Sequence, residues 1–144
     1  MNVKKKVILA DDQIVNLSVG REVLSGAYEV FTVPSGEKLL LLLKRIIPDI
    51  ILLDIEMPGM NGYETIRQIK SNPDTEHIPV IFLTGRSDVG SELEGLSLGA
   101  VDYIYKPFSP LLLLKRIEVH MHIEDLKKEN QHYKEMIKAE KSME

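Results

Sequence analysis

Five polar side chains stand at the ends of short apolar segments, where they could act together on a phosphoryl group. Asp11 and Asp12 follow the first segment. Asp54 and Thr84 end two later segments, and Lys106 follows the last. Carboxylates are hard oxygen ligands, and Mg²⁺ takes one or two of them together with waters and phosphate oxygens. A lysine ammonium and a threonine hydroxyl would supply a charge and a donor to the same phosphoryl group. Because an aspartate can itself be the nucleophile, the set suits phosphoryl transfer by positioning and charge neutralisation.

The apolar segments themselves predict the strands of a parallel sheet. Four are short, continuous and rich in β-branched residues, as strands buried on both faces are: residues 7–10, 50–53, 80–83 and 101–105. A fifth, residues 28–33, alternates between polar and apolar side chains and is expected at an edge of the sheet or half exposed. The polar side chains would then lie together at the carboxyl edge, where parallel folds build their sites.

Helix-like stretches separate these strands. They cover residues 14–25, residues 37–47 before Pro48, a helix from Gly62 that ends at Asn72-Pro73, a helix from Val89 that Gly99 stops, and residues 110–141. The alternation of strand and helix, repeated five times, requires right-handed crossovers and helices on both faces of the sheet. The sequence therefore predicts an α/β fold with a doubly wound, five-stranded parallel sheet and an extended last helix.

At these positions the sequence resembles the receiver domain of two-component response regulators, a CheY-like domain with a flavodoxin-like fold. The resemblance covers about residues 5–118 and rests on four motifs. These are Ala-Asp-Asp at residues 10–12 with Asn16, residues 48–62 around Asp54, residues 78–84, and residues 99–108, which include Lys106-Pro-Phe. Each motif is weak alone, but their order, spacing and position at strand ends agree.

The resemblance implies a role for each acidic residue. Asp54 would accept a phosphoryl group from a phosphohistidine on a sensor histidine kinase. Asp12 would bind Mg²⁺ directly and Asp11 through water, and Asp54 and the backbone carbonyl of Glu56 would complete the ligand set. Glu56 and Arg86 follow Asp54 and Thr84 by two residues. We hypothesise that these opposite charges bridge the entrance and slow the hydrolysis of the aspartyl phosphate.

The resemblance also implies a conformational switch. Lys106 would pair with the phosphoryl group, and the Lys106–Pro107 bond would be cis. Thr84 would move to hydrogen-bond the phosphoryl group, and Tyr103 would swing inward to fill the vacated space. Tyr103 and Tyr105 are expected to face opposite sides of the sheet, one serving the switch and the other packing. The switch would control an output domain or a partner protein.

The last predicted helix continues beyond the receiver motifs. Residues 110–141 contain no glycine or proline after Pro110, and a heptad pattern selects the following positions: Leu112, Arg116, Val119, Ile123, Leu126, Asn130, Tyr133, Ile137 and Glu140. Asn130 falls at an a position, which favours a parallel two-stranded coiled coil and hence a homodimer. The alternative is a solvated terminal helix. We therefore expect a receiver in residues 1–118 and an extended helix in residues 119–144. By analogy, this helix looks like one that leads to cyclic di-GMP enzymes or lies inside hybrid kinases.

Composition excludes several classes of protein. The chain has 144 residues, with 18 Lys and Arg against 22 Asp and Glu, a net charge of −4 that argues against a broad nucleic-acid-binding face. It has no cysteine, so a disulfide framework, a thiolate nucleophile and cysteine-ligated zinc are impossible. No apolar run approaches the ~20 residues of a membrane-spanning helix. The four histidines lack metal-ligand spacing and are expected at the surface. A cytoplasmic protein fits these features.

Three other functions compete with this interpretation. An aspartate-nucleophile phosphatase would want an acid/base aspartate two residues after Asp54, where Glu56 stands, and an inserted cap for its substrate. A nucleotide-binding fold lacks its glycine-rich motifs here. A pseudo-receiver would be an interaction module alone. The favoured interpretation is a phosphoacceptor switch that at most catalyses its own phosphorylation and dephosphorylation.

Overall fold

The structure, a computed structural model, describes residues 3–85 and 89–143. Within these residues five strands alternate with five helices, as the sequence predicts. In chain order they are β1 (Lys6–Ala10), α1 (Ile14–Leu24), β2 (Glu29–Val33), α2 (Gly36–Leu42), β3 (Ile50–Asp54), α3 (Gly62–Lys70), β4 (Val80–Thr84), α4 (Val89–Ser97), β5 (Asp102–Tyr105) and α5 (Pro110–Met143).

The strands form one parallel sheet in the order β2-β1-β3-β4-β5. Successive side chains of each strand point to opposite faces. On β1, Val7 and Leu9 pack with α1 and α5, whereas Ile8 and Ala10 pack with α2 and α3. This arrangement confirms the doubly wound fold. Because β1 lies between β2 and β3, the order of connections reverses at the carboxyl ends of β1 and β3, which opens a crevice there.

Burial along the strands follows their position in the sheet. Every residue of β3 and β4 is buried, whereas β2 mixes exposed and buried residues. The strand β2 lies at an edge, as its alternating pattern predicts. In contrast, α2 is shorter than the expected residues 37–47. After Leu42 the chain continues in hydrogen-bonded turns that lead into β3.

Hydrogen-bonded caps fix the helix ends near the carboxyl edge. The Asn61 side chain accepts a hydrogen bond from the Glu64 N–H at 2.9 Å, which begins α3. Ser35 does the same for α2, accepting from the Lys38 N–H at 3.1 Å. After α4, Gly99 has a φ of +108°, a left-handed conformation that glycine adopts without strain. The prediction that Gly99 ends this helix is therefore confirmed.

The last helix, α5, spans 34 residues without interruption. Its first part is held against the sheet by the buried side chains of Leu113, Ile117 and Met121. Beyond Met121 nearly all its side chains are exposed. Among the described residues, no helix combines the length and apolar character needed to cross a bilayer.

Candidate functional site

Three carboxylates meet at the carboxyl edge of the sheet, as predicted. Asp11 and Asp12 follow β1, and Asp54 is the last residue of β3. The register aligns Ala10 with Leu53, so the ends of the two strands coincide. One carboxylate oxygen from each aspartate lies within 4.8 Å of the others. Asp11 and Asp54 are buried and Asp12 is partly exposed, which leaves the cluster open on one side.

Lys106 faces this cluster from the loop after β5. Its ammonium donates to Asp11 Oδ2 at 2.8 Å and lies 3.3 Å from Asp54 Oδ1. Its backbone N–H donates to the carbonyl of Thr84 at 2.8 Å, which fixes the loop against the end of β4. The Lys106–Pro107 bond is cis, in agreement with the resemblance. Burial alone would lower the pKa of Lys106, but the two aspartates outweigh it and raise that pKa, so the ammonium stays charged.

The environment of Asp54 disfavours its own negative charge. Burial, followed by repulsion from Asp11, raises the pKa of Asp54 to about 6, although Lys106 and a hydrogen bond from the Glu56 N–H act in the opposite direction. Among the described residues, Lys106 contacts Asp11 and Asp54, so the three clustered carboxylates carry more negative charge than its ammonium offsets. A divalent cation would relieve this excess, and clustered carboxylate oxygens are the ligands that Mg²⁺ prefers. The residues present therefore fit such an ion. The side chain of Glu56, the fourth predicted contributor, is exposed in the loop after Asp54.

The two predicted switch residues are both buried next to this edge. Thr84 is the last residue of β4 and is fully buried. Tyr103 lies in the core cluster that contains Phe82, and the two ring centroids are 5.5 Å apart. Tyr105 is 37% exposed. The expectation that the two tyrosines face opposite sides of the sheet is wrong: they are two residues apart in β5 and share a face, whereas Ile104 between them packs in the core cluster on the other face. Tyr103 thus occupies an inward position, and burial raises the pKa of its hydroxyl.

The sequence does not predict the contacts that hold Tyr103 inward. Its hydroxyl donates to the carbonyl of Ser91 in α4 at 2.5 Å, and Tyr63 of α3 donates to the same carbonyl at 3.3 Å. Gly95, one turn later in α4, has no side chain where the ring packs: a Cβ there would lie 1.9 Å from the Tyr103 hydroxyl. No local pattern marks Ser91 or Gly95, because both matter only through tertiary contact.

The expectation that all four histidines lie at the surface is wrong for His120. Its side chain is only 14% exposed, and Nε2 lies 3.0 Å from Asp102 Oδ2. Arg116, one turn earlier on α5, donates to both oxygens of Asp102 at 3.0 Å. Arg116 and His120 share a face of α5 at i, i+4 spacing, but this spacing alone does not identify Asp102 as their partner. The hypothesised partner of Glu56, Arg86, lies outside the described residues.

Curated relatives share the receiver part of this chain. A probable cyclic di-GMP phosphodiesterase of Vibrio cholerae is 46% identical over 115 residues. The alignment covers 80% of this chain but only 26% of that protein. The chain therefore spans about a quarter of the length of this relative.

Solved structures and a family model agree with the fold. Chemotaxis protein CheY4 of Vibrio cholerae has a TM-score of 0.77 at 30% identity, covering 81% of this chain and 98% of that one. The receiver domain of sensor histidine kinase PA1611 from Pseudomonas aeruginosa, described with a magnesium ion in its active site cleft, has a TM-score of 0.77 at 27% identity, with 83% and 99% covered. The family model described as the response regulator receiver domain matches residues 7–118. The chain therefore belongs to the response regulator receiver domain family of two-component signalling, with α5 as an extended C-terminal helix.

Proposed function

We propose that this chain is a phosphorelay switch that accepts a phosphoryl group on Asp54 from a sensor histidine kinase, in a reaction that depends on Mg²⁺. One observation carries the proposal: Asp54 Oδ1 lies 3.3 Å from the Lys106 ammonium, and a carboxylate oxygen of Asp54 lies within 4.8 Å of oxygens of Asp11 and Asp12. A nucleophilic carboxylate, a fixed cation and a set of metal ligands thus meet at one point.

The proposed transfer joins a carboxylate oxygen of Asp54 to phosphorus while the phosphorus–nitrogen bond of the phosphohistidine breaks. The electron pair of that bond returns to the imidazole nitrogen, and the product is an aspartyl phosphate. Lys106 would then pair with a phosphoryl oxygen in place of part of its contact with Asp54. Asp12, Asp54 and the Glu56 carbonyl would hold Mg²⁺, with Asp11 acting through water, and the bound ion would neutralise charge on the phosphoryl oxygens.

The switch itself is proposed to run from Thr84 to Tyr103. A new phosphoryl group brings negative charge and strong acceptors, and the Thr84 hydroxyl would turn to donate to it. This movement of Thr84 would change the space available to Tyr103, which contacts α4 through Ser91 and Gly95. Phosphorylation would therefore shift the population of two states of this region. At most, the chain would catalyse its own phosphorylation and dephosphorylation.

The wider setting is also a proposal. Residues 1–118 would be the receiver, and residues 119–144 would be a helical, coiled-coil linker towards an output domain or partner. The name of the Vibrio cholerae relative suggests cyclic di-GMP metabolism as one such output. We propose a cytoplasmic homodimer joined through α5, with no nucleic acid or membrane as a direct partner.

Intact-mass measurement tests the central step. The chain is incubated with Mg²⁺ and a small acyl phosphate, and its mass is followed with the amount of donor consumed. The expected result is a gain of one phosphoryl group that is lost in Asp54→Asn and retained in Asp74→Asn, an exposed acid away from the site. The gain should disappear when a chelator is added. Continuous consumption of the donor would indicate a phosphatase, and no gain would indicate a pseudo-receiver; either result overturns the proposal.

A further inference from the structure

The helix α5 carries apolar stripes on two opposite sides. The inner stripe, Leu113, Ile117 and Met121, is buried against the sheet. Two residues after Ile117 stands Val119, and two after Met121 stands Ile123. At 3.6 residues per turn, a step of two residues rotates about 200° around the helix. The second stripe therefore faces away from the domain, and its side chains are exposed: Val119 is 53% exposed and Ile123 is 38% exposed.

This outer stripe continues past the point where α5 leaves the domain. Leu126, Tyr133 and Ile137 extend it with alternating steps of three and four, and all three are exposed. The polar residue in the middle of the stripe is Asn130. The spacing is that of the a and d positions of a coiled coil, with Asn130 at a. A buried asparagine at that position favours two parallel strands in one register, because each Asn pairs best with its own copy.

The charges beside the stripe select the same partner and orientation. From Ile123 onward the e positions are all lysine: Lys127, Lys134 and Lys141. An antiparallel pair would bring these lysines against one another, since e then faces e. A parallel pair brings each g position against the e position of the next heptad. Glu129 is at g, so it would meet Lys134 of the second helix, and symmetry makes this attraction occur twice.

We infer that α5 forms a parallel, in-register, two-stranded coiled coil with a second copy of this chain, in which the Asn130 side chains pair and Glu129 meets Lys134 of the other copy. This specifies the homodimer of the proposed function but does not depend on phosphoryl chemistry. The inner stripe holds each helix against its own domain, so the outer stripe alone forms the interface between the two helices, the dimer seam.

Disulfide trapping tests the orientation cleanly, because the chain contains no cysteine of its own. The variants Leu126→Cys and Tyr133→Cys each place one thiol at a d position, where facing Cα atoms come within disulfide range. Under mild oxidation both variants should form covalent dimers, whereas Lys128→Cys, on the outer face of the coil, should not. An antiparallel pair can bring at most one residue opposite its own copy, so cross-linking at both positions excludes it. Cross-linking at neither position, or equally at position 128, would overturn the inference.

A charge swap tests the pairing of Glu129 with Lys134. Within one helix these residues are five apart and do not face each other, so any coupling between them must act between chains. Glu129→Lys and Lys134→Glu should each weaken the dimer by about tenfold, because every exposed ion pair changes an equilibrium constant by a factor of only about 1.5 to 5 and two symmetric pairs are reversed. The double variant should restore most of the affinity.

Sedimentation equilibrium measures this dissociation, with far-UV circular dichroism as a check that each variant remains folded. A chain that stays monomeric at high concentration, as it would if α5 served only an unlike helix, contradicts the inference. So does a double variant as weak as the single ones. All of these measurements are repeated in Asp54→Asn. The Asp54→Asn chain cannot be phosphorylated at this position, so its dimerisation does not depend on the proposed phosphorylation. Each of the two proposals can therefore fail without the other.

Discussion

Replacing Asp54 with asparagine should stabilise the metal-free chain at neutral pH. Burial and the charge of Asp11 raise the pKa of Asp54 from its ordinary 3.8 to about 6. A group whose pKa is raised by folding favours the folded state when protonated, and this contribution is lost as the pH rises through the folded value. Each pKa unit corresponds to 1.36 kcal/mol, so the ionised Asp54 costs about 3 kcal/mol of stability above pH 7. Asparagine avoids this cost and keeps an oxygen that can accept from Lys106.

The pH dependence distinguishes this explanation from a general effect of the substitution. At pH 8 with a chelator, Asp54→Asn should be more stable to urea than the wild type by up to about 3 kcal/mol. Near pH 4 the wild-type carboxyl is protonated in the folded state, so the difference should nearly vanish. Unfolding is followed by far-UV circular dichroism at several pH values between these limits. The exposed control Asp74→Asn should match the wild type throughout.

Added Mg²⁺ should reduce the difference at pH 8, because a ligand that binds only the folded state stabilises it in proportion to its affinity. The wild type offers the ion three carboxylates, whereas the variant offers two. A variant no more stable than the wild type at pH 8 would refute the reasoning about Asp54. A difference of the same size at pH 4 would do so as well, since the cause could not then be the charge.

Three further predictions concern the surroundings of the site. Gly95→Ala should destabilise the fold by about 1–3 kcal/mol and alter the near-UV circular dichroism of the tyrosines, because its Cβ would lie 1.9 Å from the Tyr103 hydroxyl; Gly26→Ala, with nothing within 4 Å, should leave both unchanged. Asp102→Asn should cost about 1.5–3 kcal/mol at pH 7 through the loss of charge-assisted hydrogen bonds. Burial works to raise the pKa of Asp102, but these hydrogen bonds outweigh it and lower that pKa, so its contribution is present above the ordinary aspartate range and is lost as the pH falls; a cost that stays constant down to pH 3 would contradict this. Asn61→Ala should lower stability to urea by about 1 kcal/mol through the loss of the α3 cap, and an unchanged urea midpoint would show that the cap is dispensable.

The sequence predicted the carboxyl edge of the sheet well because two independent signals coincided there. Continuous apolar runs located β3 and β4, and the polar residues Asp54 and Thr84 ended them. In a parallel sheet, residues that end strands must lie at one edge, so the meeting of the three aspartates and Lys106 followed from chain order alone. The overextended α2 shows the limit of this logic. Its leucines suit a helix as far as residue 47, but after Leu42 the chain forms turns on its way to β3, and hydropathy does not mark that change.

Contacts between distant segments could not be predicted from the sequence, because they depend on how closely the helices and strands pack. Tyr103 contacts the backbone carbonyl of Ser91 and the space left by the missing side chain of Gly95. Neither feature can be recognised from hydropathy or spacing. The same holds for His120, whose partner Asp102 is 18 residues away. His122, two residues later on the same helix, is exposed. The rotation of α5 about its axis decides which of the two histidines faces β5.

The short strand β5 connects the candidate site with both of the helices that flank it. Just beyond its carboxyl end, Lys106 contacts Asp11 and Asp54. In its middle, Tyr103 contacts α4 at Ser91. At its amino end, Asp102 holds α5 through Arg116. Under the proposed function, phosphorylation acts on Lys106 and on the space around Tyr103, so a single displaced strand would carry the change both to α4 and to the helix that we infer to form the dimer seam.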